Sequence, residues 1–381
     1  MGDEVTLTIN GKKVTVSNKV TIVEAAKALG IDIPVFCYHP KMEPVGMCRM
    51  CLVEIGRPIV DRRTGEIQRE SDGTVKIWFG PKLETACTTR VGDGMVVITN
   101  SEKVKNACNA TLEFILTSHP LDCPICDKGG ECPLQNLTMA YGSSQSRFLL
   151  EDKQHAAKRY PLGELIFLDR ERCIKCGRCI RFQTEIVDDA VIGFYHRGRS
   201  TDIVTYSEPG FDSYFSGNTT DICPVGALTT VDFRFSARPW QMKQVASICN
   251  HCPVGCNIVF DTRREASSGG SISIKRVMPR QNEMVNEIWI CDKGRFGYHH
   301  FENETRLKEP LVRKNGELVP VPWEEALDLV ARKFKETGSR VVTLAGGSLA
   351  NEDLYHLRTL TEKQGGRSLL NSYMAGGDLV A

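Results

Sequence analysis

The feature that most constrains this chain is the grouping of its sixteen cysteines. Fifteen of them form four ordered groups, and His119 adds a further ligand to the second group. The groups are Cys37, Cys48, Cys51 and Cys87; His119, Cys123, Cys126 and Cys132; Cys173, Cys176, Cys179 and Cys223; and Cys249, Cys252, Cys256 and Cys291. Each group has the number of soft or borderline ligands that completes one metal centre. The chain is therefore expected to fold around metal.

Disulfides are the competing use of so many cysteines. Disulfide scaffolds are usually short and secreted, whereas this chain has 381 residues and its first residues, MGDEVTLTIN, lack a secretory signal. The repeated Cys-x2-Cys pairs also place thiolates close together, as a shared metal requires. Metal binding is the favoured interpretation.

Composition argues against two other classes of protein. Charged residues make up 25% of the chain and the formal net charge is +1, so there is no basic excess to neutralise nucleic-acid phosphates. The sequence has no uninterrupted apolar run of about 18 residues, the length of a membrane span. It also lacks a G-x-G-x-x-G fingerprint, so we expect any dinucleotide to bind elsewhere.

The N-terminal segment has the pattern of a β-grasp ferredoxin. Alternating apolar residues on both sides of Asn10-Gly11 predict a β-hairpin. A helix is expected next, with a capping box formed by Thr21 and Glu24 and its end at Gly30.

A second helix is predicted over residues 101–118, and its apolar face is expected to hold Val104, Ala107, Cys108, Phe114 and Ile115. Cys108 belongs to none of the four groups, and we interpret it as a core residue. Residues 119–243, rich in Cys, Gly and Pro, are expected to form loops around metal centres.

After Cys291 the pattern is that of an α/β domain. A helix is predicted from Pro322 to Glu336, then a buried strand over 341–344, a helix over 352–363 and a strand over 368–370. The apolar face of the first helix would hold Trp323, Leu327, Val330, Ala331 and Phe334. Gly346-Gly347 is interpreted as a strand-to-helix turn rather than a phosphate site. Residues 301–381 are expected to be the beginning of a truncated domain.

The first and second groups have distinctive spacings. Cys37-x10-Cys48-x2-Cys51, closed by Cys87, has a wider first spacing than plant-type ferredoxins, and within a β-grasp pattern it predicts a 2Fe-2S site. His119 precedes Cys123-x2-Cys126, and we expect it to ligate a 4Fe-4S cluster. A neutral imidazole in place of a thiolate would tune the potential of that cluster. Structural zinc is the alternative at both sites.

The third and fourth groups predict one 4Fe-4S cluster each. Cys173-x2-Cys176-x2-Cys179 matches bacterial ferredoxins, but Arg181-Phe182-Gln183 stands where a two-cluster ferredoxin has a further Cys-Pro. The matching Cys-Pro is Cys223-Pro224. Beside the fourth group, Lys293 and Arg295 either stabilise a negative cluster or are ordinary solvated charges.

Four sets of motifs, taken together, resemble the large iron–sulfur subunit of bacterial NADH:quinone oxidoreductase, respiratory complex I. They are CYHPKMEPVGMCRMC; HPLDCPICDKGGECPLQ; CIKCGRCIRFQTE with SGNTTDICPVGAL; and ICNHCPVGC with WICDKGRFGY. The resemblance implies an α+β multidomain protein with a β-grasp 2Fe-2S domain at 1–98, a helical 4Fe-4S domain at 99–158, a ferredoxin-like 4Fe-4S domain at 159–243, a 4Fe-4S domain of molybdopterin-oxidoreductase type at 244–300, and the start of a molybdopterin-oxidoreductase-like α/β domain at 301–381.

The resemblance also implies a role and partners. Electrons would come from a flavin- and NADH-binding subunit and leave through the clusters toward quinone-side iron–sulfur subunits, without substrate chemistry in this chain. The fourth cluster would lie off the main path. The protein would be peripheral, on the cytoplasmic side of the bacterial inner membrane, reaching the membrane only through partner subunits and binding no nucleic acid.

Three other readings remain open from the sequence. The large subunit of an NAD-linked formate dehydrogenase shares the electron-input domains, but its relatives usually keep two clusters in the ferredoxin-like domain. An iron-only hydrogenase is a weaker match. A zinc-bound structural protein is the third reading, and metal analysis distinguishes it from the others.

Overall fold

The computed structural model describes residues 4–61, 63–208, 210–266, 269–346 and 349–371. The chain divides into two compact units, Met1–Trp240 and Gln241–Ala381. The strands of the first unit are β1 (Glu4–Ile9), β2 (Lys12–Ser17), β3 (Leu52–Pro58), β4 (Ile77–Phe79), β5 (Glu84–Thr85), β6 (Val96–Ile98), β7 (Tyr160–Pro161), β8 (Ile166–Leu168), β9 (Ile192–Tyr195), β10 (Asp202–Thr205) and β11 (Leu228–Thr230). Its helices are α1 (Ile22–Ala28), α2 (Glu102–Leu116), α3 (Pro133–Tyr141), α4 (Arg178–Arg181) and α5 (Asn218–Ile222).

The first sheet has the strand order β2-β1-β6-β3-β4, and β5 pairs with β3. Strand β1 is parallel to β6 and antiparallel to β2. The predicted hairpin is confirmed, since Asn10 and Gly11 have φ of 48° and 81° between β1 and β2, as a tight hairpin turn requires. The predicted cap of α1 is present, because the Glu24 carboxylate accepts the Thr21 N–H at 2.6 Å.

Helix α2 buries a narrower face than its sequence predicts. Val104, Cys108 and Leu112 are buried, and they follow one another at helical spacing. Phe114 is 78% exposed, so its predicted place on the apolar face is wrong. At about 100° per residue, Phe114 lies roughly 120° around the helix from the centre of the buried stripe.

The remainder of the first unit consists of short elements joined by long loops. Strands β9 and β10 form one antiparallel ribbon, and β7, β8 and β11 form a small sheet. A single π-helical turn, Phe182–Ile186, continues α4. Little regular structure surrounds the cysteines, as their loop-rich sequence predicts.

The second unit begins with an antiparallel sheet and continues into an α/β segment. Its strands are β12 (Lys243–Ile248), β13 (Asn257–Glu265), β14 (Ser271–Pro279), β15 (Leu311–Lys314), β16 (Glu317–Pro320), β17 (Val342–Gly346) and β18 (Arg367–Asn371). Its helices are α6 (Asp292–Phe296), α7 (His299–Glu302), α8 (Trp323–Thr337) and α9 (Asn351–Lys363). Strands β17 and β18 are parallel and α9 connects them, so the predicted α/β pattern is confirmed.

Burial in this α/β segment differs from the prediction. Strand β17 is largely exposed, with Val342 at 59% and Leu344 at 74%, and on α8 Trp323 is 67% exposed. These elements have the predicted periodicity, but the described residues do not cover their apolar faces. The Gly347 of the predicted turn lies outside the described residues. Within the described ranges, no helix has the length and apolar character needed to cross a membrane.

Candidate iron–sulfur sites

The first site is assembled by the β-grasp sheet. Cys37 and Cys48 lie on the loop that enters β3, Cys51 directly precedes that strand, and Cys87 follows β5. Cys37 and Cys87 are fully buried and Cys51 is 1% exposed. The Sγ atoms of Cys51 and Cys87 are 3.3 Å apart. Three of the four predicted ligands therefore lie in the interior of one domain, and Cys48 is half-buried.

The backbone of this loop turns toward its sulfurs. The N–H of Cys37 donates to Cys48 Sγ at 3.5 Å, and the N–H of Cys48 donates to Cys37 Sγ at 3.5 Å. Gly46 has φ of 63°, and a Cβ there would lie 3.2 Å from Thr88 Cγ2. Amides directed at sulfur stabilise negative charge on it, so the loop is suited to thiolates.

The protonation of these thiols is coupled. Hydrogen bonding with Cys48 lowers the pKa of Cys37, and the same contact raises the pKa of Cys48. The protein alone therefore favours a shared negative charge rather than four thiolates. Iron supplies the positive charge that deprotonates coordinating thiols.

The residues of the second site line one cavity of about 500 Å³. They are His119, Cys123, Cys126 and Cys132. Helices α2 and α3 contribute Leu112 and Leu134 to its walls. Lys153 Nζ donates to the carbonyls of Leu116 and His119 at 2.6 and 2.9 Å, which fixes the chain just after α2. The structure thus brings the histidine and the three cysteines to a common space.

His119 has the properties of a ligand. Burial, followed by the nearby Lys153 and Arg172 cations, lowers the pKa of His119 to about 4, so the imidazole is neutral near pH 7, the form that binds metal. Its Nδ1 atom is buried and has no hydrogen-bond partner among the described residues. Buried polar atoms rarely lack a partner, so this atom fits a site that also holds a cofactor.

The third site lies around α4. Cys173, Cys176, Cys179 and Cys223 line the same small cavity, which β8 and β11 also contact. Burial raises the pKa of Cys173 to about 11 and that of Cys176 to about 12, so positive charge is again needed to hold these residues as thiolates. Lys175 and Gly177 have φ of 57° and 73°, which turns the chain between successive cysteines.

The position of the absent second-cluster cysteine is filled by other side chains. Phe182 and Gln183 both have 0% exposure and belong to the π-helical turn after α4. Packed side chains occupy the space beside this part of the third site. One cluster in this segment stays a prediction.

The fourth site is in the second unit, between the β12–β13 turn and α6. The Cys249 N–H donates to the Cys256 carbonyl at 2.8 Å, and Cys291 is the N-cap of α6. A Cβ on Gly294 would lie 3.2 Å from Cys249 Sγ and 3.9 Å from Cys291 Sγ. Burial and then the neighbouring Cys249 and Cys291 raise the pKa of Cys256 to about 11, so this group also converges.

Of the two cations considered beside the fourth site, Arg295 is not an ordinary solvated charge. It is 3% exposed, and its guanidinium donates to the Val277 carbonyl of β14 at 3.1 Å. Arg295 therefore ties α6, whose N-cap is Cys291, to the sheet.

All sixteen cysteines are free thiols in the structure, as the metal interpretation expects. Across the described ranges, no set of three or more His, Cys, Asp or Glu side chains is arranged around a single metal ion. A tetranuclear cluster places each thiolate on a different iron, so its ligands do not need to meet at one point. The prediction for Cys108 is confirmed: it is 1% exposed, and its Sγ donates to the Met50 carbonyl at 3.5 Å.

Sequence reasoning missed the residues between the sites. A Cβ on Gly226 would lie 2.1 Å from Cys126 Sγ, so the segment that follows Cys223 touches a ligand of the second site. Arg178 and Arg181 lie among the ligands of the third site and donate to the loop of the first. In the sequence, these two arginines are marked only by their position beside Cys179, and that position does not distinguish a contact residue from an ordinary surface charge.

Comparison with protein families assigns a description to each part of the chain. The models that match are "2Fe-2S iron-sulfur cluster binding domain" at 2–102, "NADH-ubiquinone oxidoreductase-G iron-sulfur binding region" at 109–147, "NADH-quinone oxidoreductase subunit 3, ferredoxin-like domain" at 163–229, "NADH-ubiquinone oxidoreductase NDSU1/NuoG-like, 4Fe-4S domain" at 242–299 and "Molybdopterin oxidoreductase" at 306–379. Fold and sites therefore define an iron–sulfur protein with 2Fe-2S and 4Fe-4S binding domains.

Whole-chain relatives make the family specific. An NADH-quinone oxidoreductase subunit of Streptomyces coelicolor is 43% identical over 93% of this chain and 39% of its own length. The NADH-quinone oxidoreductase subunit 3 of Thermus thermophilus is 42% identical over 92% of this chain and 46% of its own length. The chain belongs to this family of NADH-quinone oxidoreductase iron–sulfur subunits. It spans less than half the length of these two relatives.

Among solved structures, a chain of a NAD+-reducing NiFe-hydrogenase in its H2-reduced state is similar to this protein. The match covers 61% of this chain and 90% of the hydrogenase chain, with 27% sequence identity and a TM-score of 0.49.

Proposed function

We propose that this chain is an electron-transfer part of NADH:quinone oxidoreductase and that it holds one 2Fe-2S and three 4Fe-4S clusters. The binuclear cluster is assigned to Cys37, Cys48, Cys51 and Cys87. The tetranuclear clusters are assigned to His119, Cys123, Cys126 and Cys132; to Cys173, Cys176, Cys179 and Cys223; and to Cys249, Cys252, Cys256 and Cys291. The segments 1–98, 99–158, 159–243, 244–300 and 301–381 are proposed as the corresponding domains.

The observation that carries the proposal is the direct contact between neighbouring ligand sets within Met1–Trp240. Cys132 Sγ approaches the Pro224 carbonyl at 3.7 Å, and Pro224 follows the third-site ligand Cys223. Arg178 bridges the Tyr38 and Ile222 carbonyls at 2.5 and 3.0 Å, next to the first-site ligand Cys37 and again to Cys223. A storage or structural role for metal would not require such adjacency, whereas electron transfer does.

The clusters, when bound, supply single-electron oxidation and reduction, and the protein sets their spacing and potential. Electrons are proposed to enter from a flavin- and NADH-binding subunit and to leave toward quinone-side iron–sulfur subunits. The fourth site, in the other compact unit, is proposed to lie off this path. The subunit is proposed to be peripheral, on the cytoplasmic side of the bacterial inner membrane.

Metal analysis of the anaerobically purified chain tests this proposal against a zinc-bound structural protein. We expect about fourteen irons per chain, two in the binuclear and four in each tetranuclear cluster, with matching inorganic sulfide. Stoichiometric zinc with only a few irons would contradict the proposal.

A further inference from the structure

The two arginines of α4 form the contact between the first and third sites. Arg178 donates through its two terminal nitrogens to the carbonyls of Ile222 and Tyr38, at 3.0 and 2.5 Å. Arg181 donates to the carbonyl of Glu43 at 2.5 Å and to the carbonyl of Cys37. Two side chains from the third site therefore hold the backbone of the first-site loop, which is about 140 residues away in sequence.

Other contacts make this a fitted junction. The Glu43 N–H donates to Glu185 Oε2 at 2.8 Å. A Cβ on Gly177 would lie 3.5 Å from Met47 Sδ and 3.6 Å from the Phe194 ring, which is close packing without collision. The first-site loop therefore has a defined position on the ferredoxin-like segment.

Among the described residues, neither guanidinium group at this junction is hydrogen-bonded to a carboxylate. Arg181 is 9% exposed. Within the residues that the structure describes, the hydrogen bonds of Arg178 and Arg181 all go to backbone carbonyls. The Nε atoms of both arginines are buried and have no partner within the same ranges. Buried charge is costly unless it is compensated, so a negative group is expected close to both guanidinium groups.

The surrounding thiols identify where that negative charge would be. Arg178 lies two residues after Cys176, and its guanidinium donates to the carbonyls of Ile222 and Tyr38, the chain neighbours of Cys223 and Cys37. These three cysteines belong to two different sites. Arg178 is therefore within electrostatic range of ligands of both the first and the third site.

We propose that Arg178 and Arg181 are positioning residues that fix the spacing of the first and third sites, and that their shared positive charge raises the reduction potentials of both. This rests on the cluster assignments of the proposed function. A positive charge favours the more negative, reduced form of a nearby centre. One charge roughly 10 Å away, at an effective dielectric constant of about 20, changes a one-electron equilibrium by about tenfold, equivalent to about 59 mV.

The test is redox-titrated spin resonance on the full chain, with Arg178→Gln and Arg178→Lys as the central pair. In Arg178→Gln, we expect the midpoint potentials of the binuclear signal and of the third-site signal to fall together. The equilibrium constant for reduction of each centre should decrease by about tenfold. Arg178→Lys keeps the charge and should return both potentials close to wild type. Since Lys cannot reproduce the two-carbonyl fork, magnetic coupling between these two centres should be weakened in both variants.

Arg181→Gln provides an independent second variant, with the same direction expected for both potentials. The matched control is Arg199→Gln, because Arg199 is exposed and also donates to a backbone carbonyl, that of Asp152, at 2.9 Å. It should leave both potentials and the magnetic coupling unchanged. Iron content is measured for every variant, and only variants that retain the wild-type iron are compared.

Unchanged potentials in both Gln variants, or equal shifts in Arg178→Gln and Arg178→Lys, would overturn the proposal. If neither Gln variant retains its iron, the Arg178→Lys potentials decide: values near wild type support the proposal, and lowered values or iron loss in that variant overturn it. Absence of binuclear and tetranuclear signals in the wild-type chain would instead refute the cluster assignments themselves, so the two failures are distinguishable.

Discussion

The first unit joins its three ligand sets by two different kinds of junction. Between the first and third sites, the contacts are side-chain hydrogen bonds from Arg178 and Arg181 to distant carbonyls. Between the third and second sites, Arg172 also donates to the Asp122 carboxylate at 3.0 Å, but the closest approach is made by the backbone, since the segment Cys223–Gly226 begins at a ligand of one site and ends against Cys126 of the other. The first junction is made by charged side chains, and the second, the backbone junction, depends in addition on this close approach.

This difference predicts different responses to mutation. Hydrogen bonds from a charged side chain can be exchanged or weakened while both neighbouring folds persist, so the first junction should respond mainly in potential and coupling. A backbone segment packed against a ligand sulfur tolerates no added atom. The second junction should therefore respond by loss of a centre.

The largest effect is expected from Gly226→Ala. The new Cβ would lie 2.1 Å from Cys126 Sγ, so either the ligand or the segment must move. We expect loss of about four irons and of one tetranuclear signal, measured by metal analysis and spin resonance, with the binuclear signal retained.

Gly92→Ala is the matched control for this substitution. A Cβ on Gly92 would meet Met95 Cε at 3.6 Å, an ordinary contact, so the full iron content should be retained. A Gly226→Ala chain with the wild-type iron and spectrum would show that the backbone junction does not depend on this close approach.

A smaller effect is expected from His119→Cys, which tests the far side of the same junction. Replacing a neutral imidazole by a thiolate adds negative charge, so the cluster should be kept and its midpoint potential should fall. Redox-titrated spin resonance measures this shift. His155→Cys is the control, because the His155 side chain is 83% exposed. An unchanged potential in His119→Cys would mean that His119 is not a ligand.

The smallest effect is expected from Cys108→Ala, near the first site. Cys108 and Cys51 are both 1% exposed, but only Cys51 is assigned as a ligand. Cys108→Ala should keep all iron and lower the free energy of unfolding by about 1 kcal/mol, measured by thermal or denaturant unfolding. Cys51→Ala should lose the binuclear signal. Iron loss in Cys108→Ala would reverse the assignment of Cys108 as a core residue.

The sequence was sufficient for features that depend on local pattern. The Asn10-Gly11 hairpin, the Thr21–Glu24 cap and the α9 crossover follow from turn chemistry, capping and periodicity, and they appear in the structure. Spacing also places three cysteines of each group on one short segment, whereas Cys87, Cys223 and Cys291 join their groups from much later in the chain.

What the sequence could not provide depends on contacts between distant segments. Phe114 has the helical spacing of a core residue but no neighbouring element covers it among the described residues, and it is 78% exposed. Arg178 and Arg181 look like surface charges until the first-site loop is placed against them. Gly226 is one of 33 glycines, and its close approach to Cys126 depends on the packing of residues about 100 positions apart.

Spin resonance of the fully reduced chain tests the central claim most directly, because it counts the centres and reports which of them lie close together. We expect one binuclear and three tetranuclear signals, with magnetic coupling of the binuclear centre to a tetranuclear one. A spectrum without tetranuclear centres, or a binuclear centre that shows no coupling to any neighbour, would contradict a chain built to conduct electrons through adjoining sites.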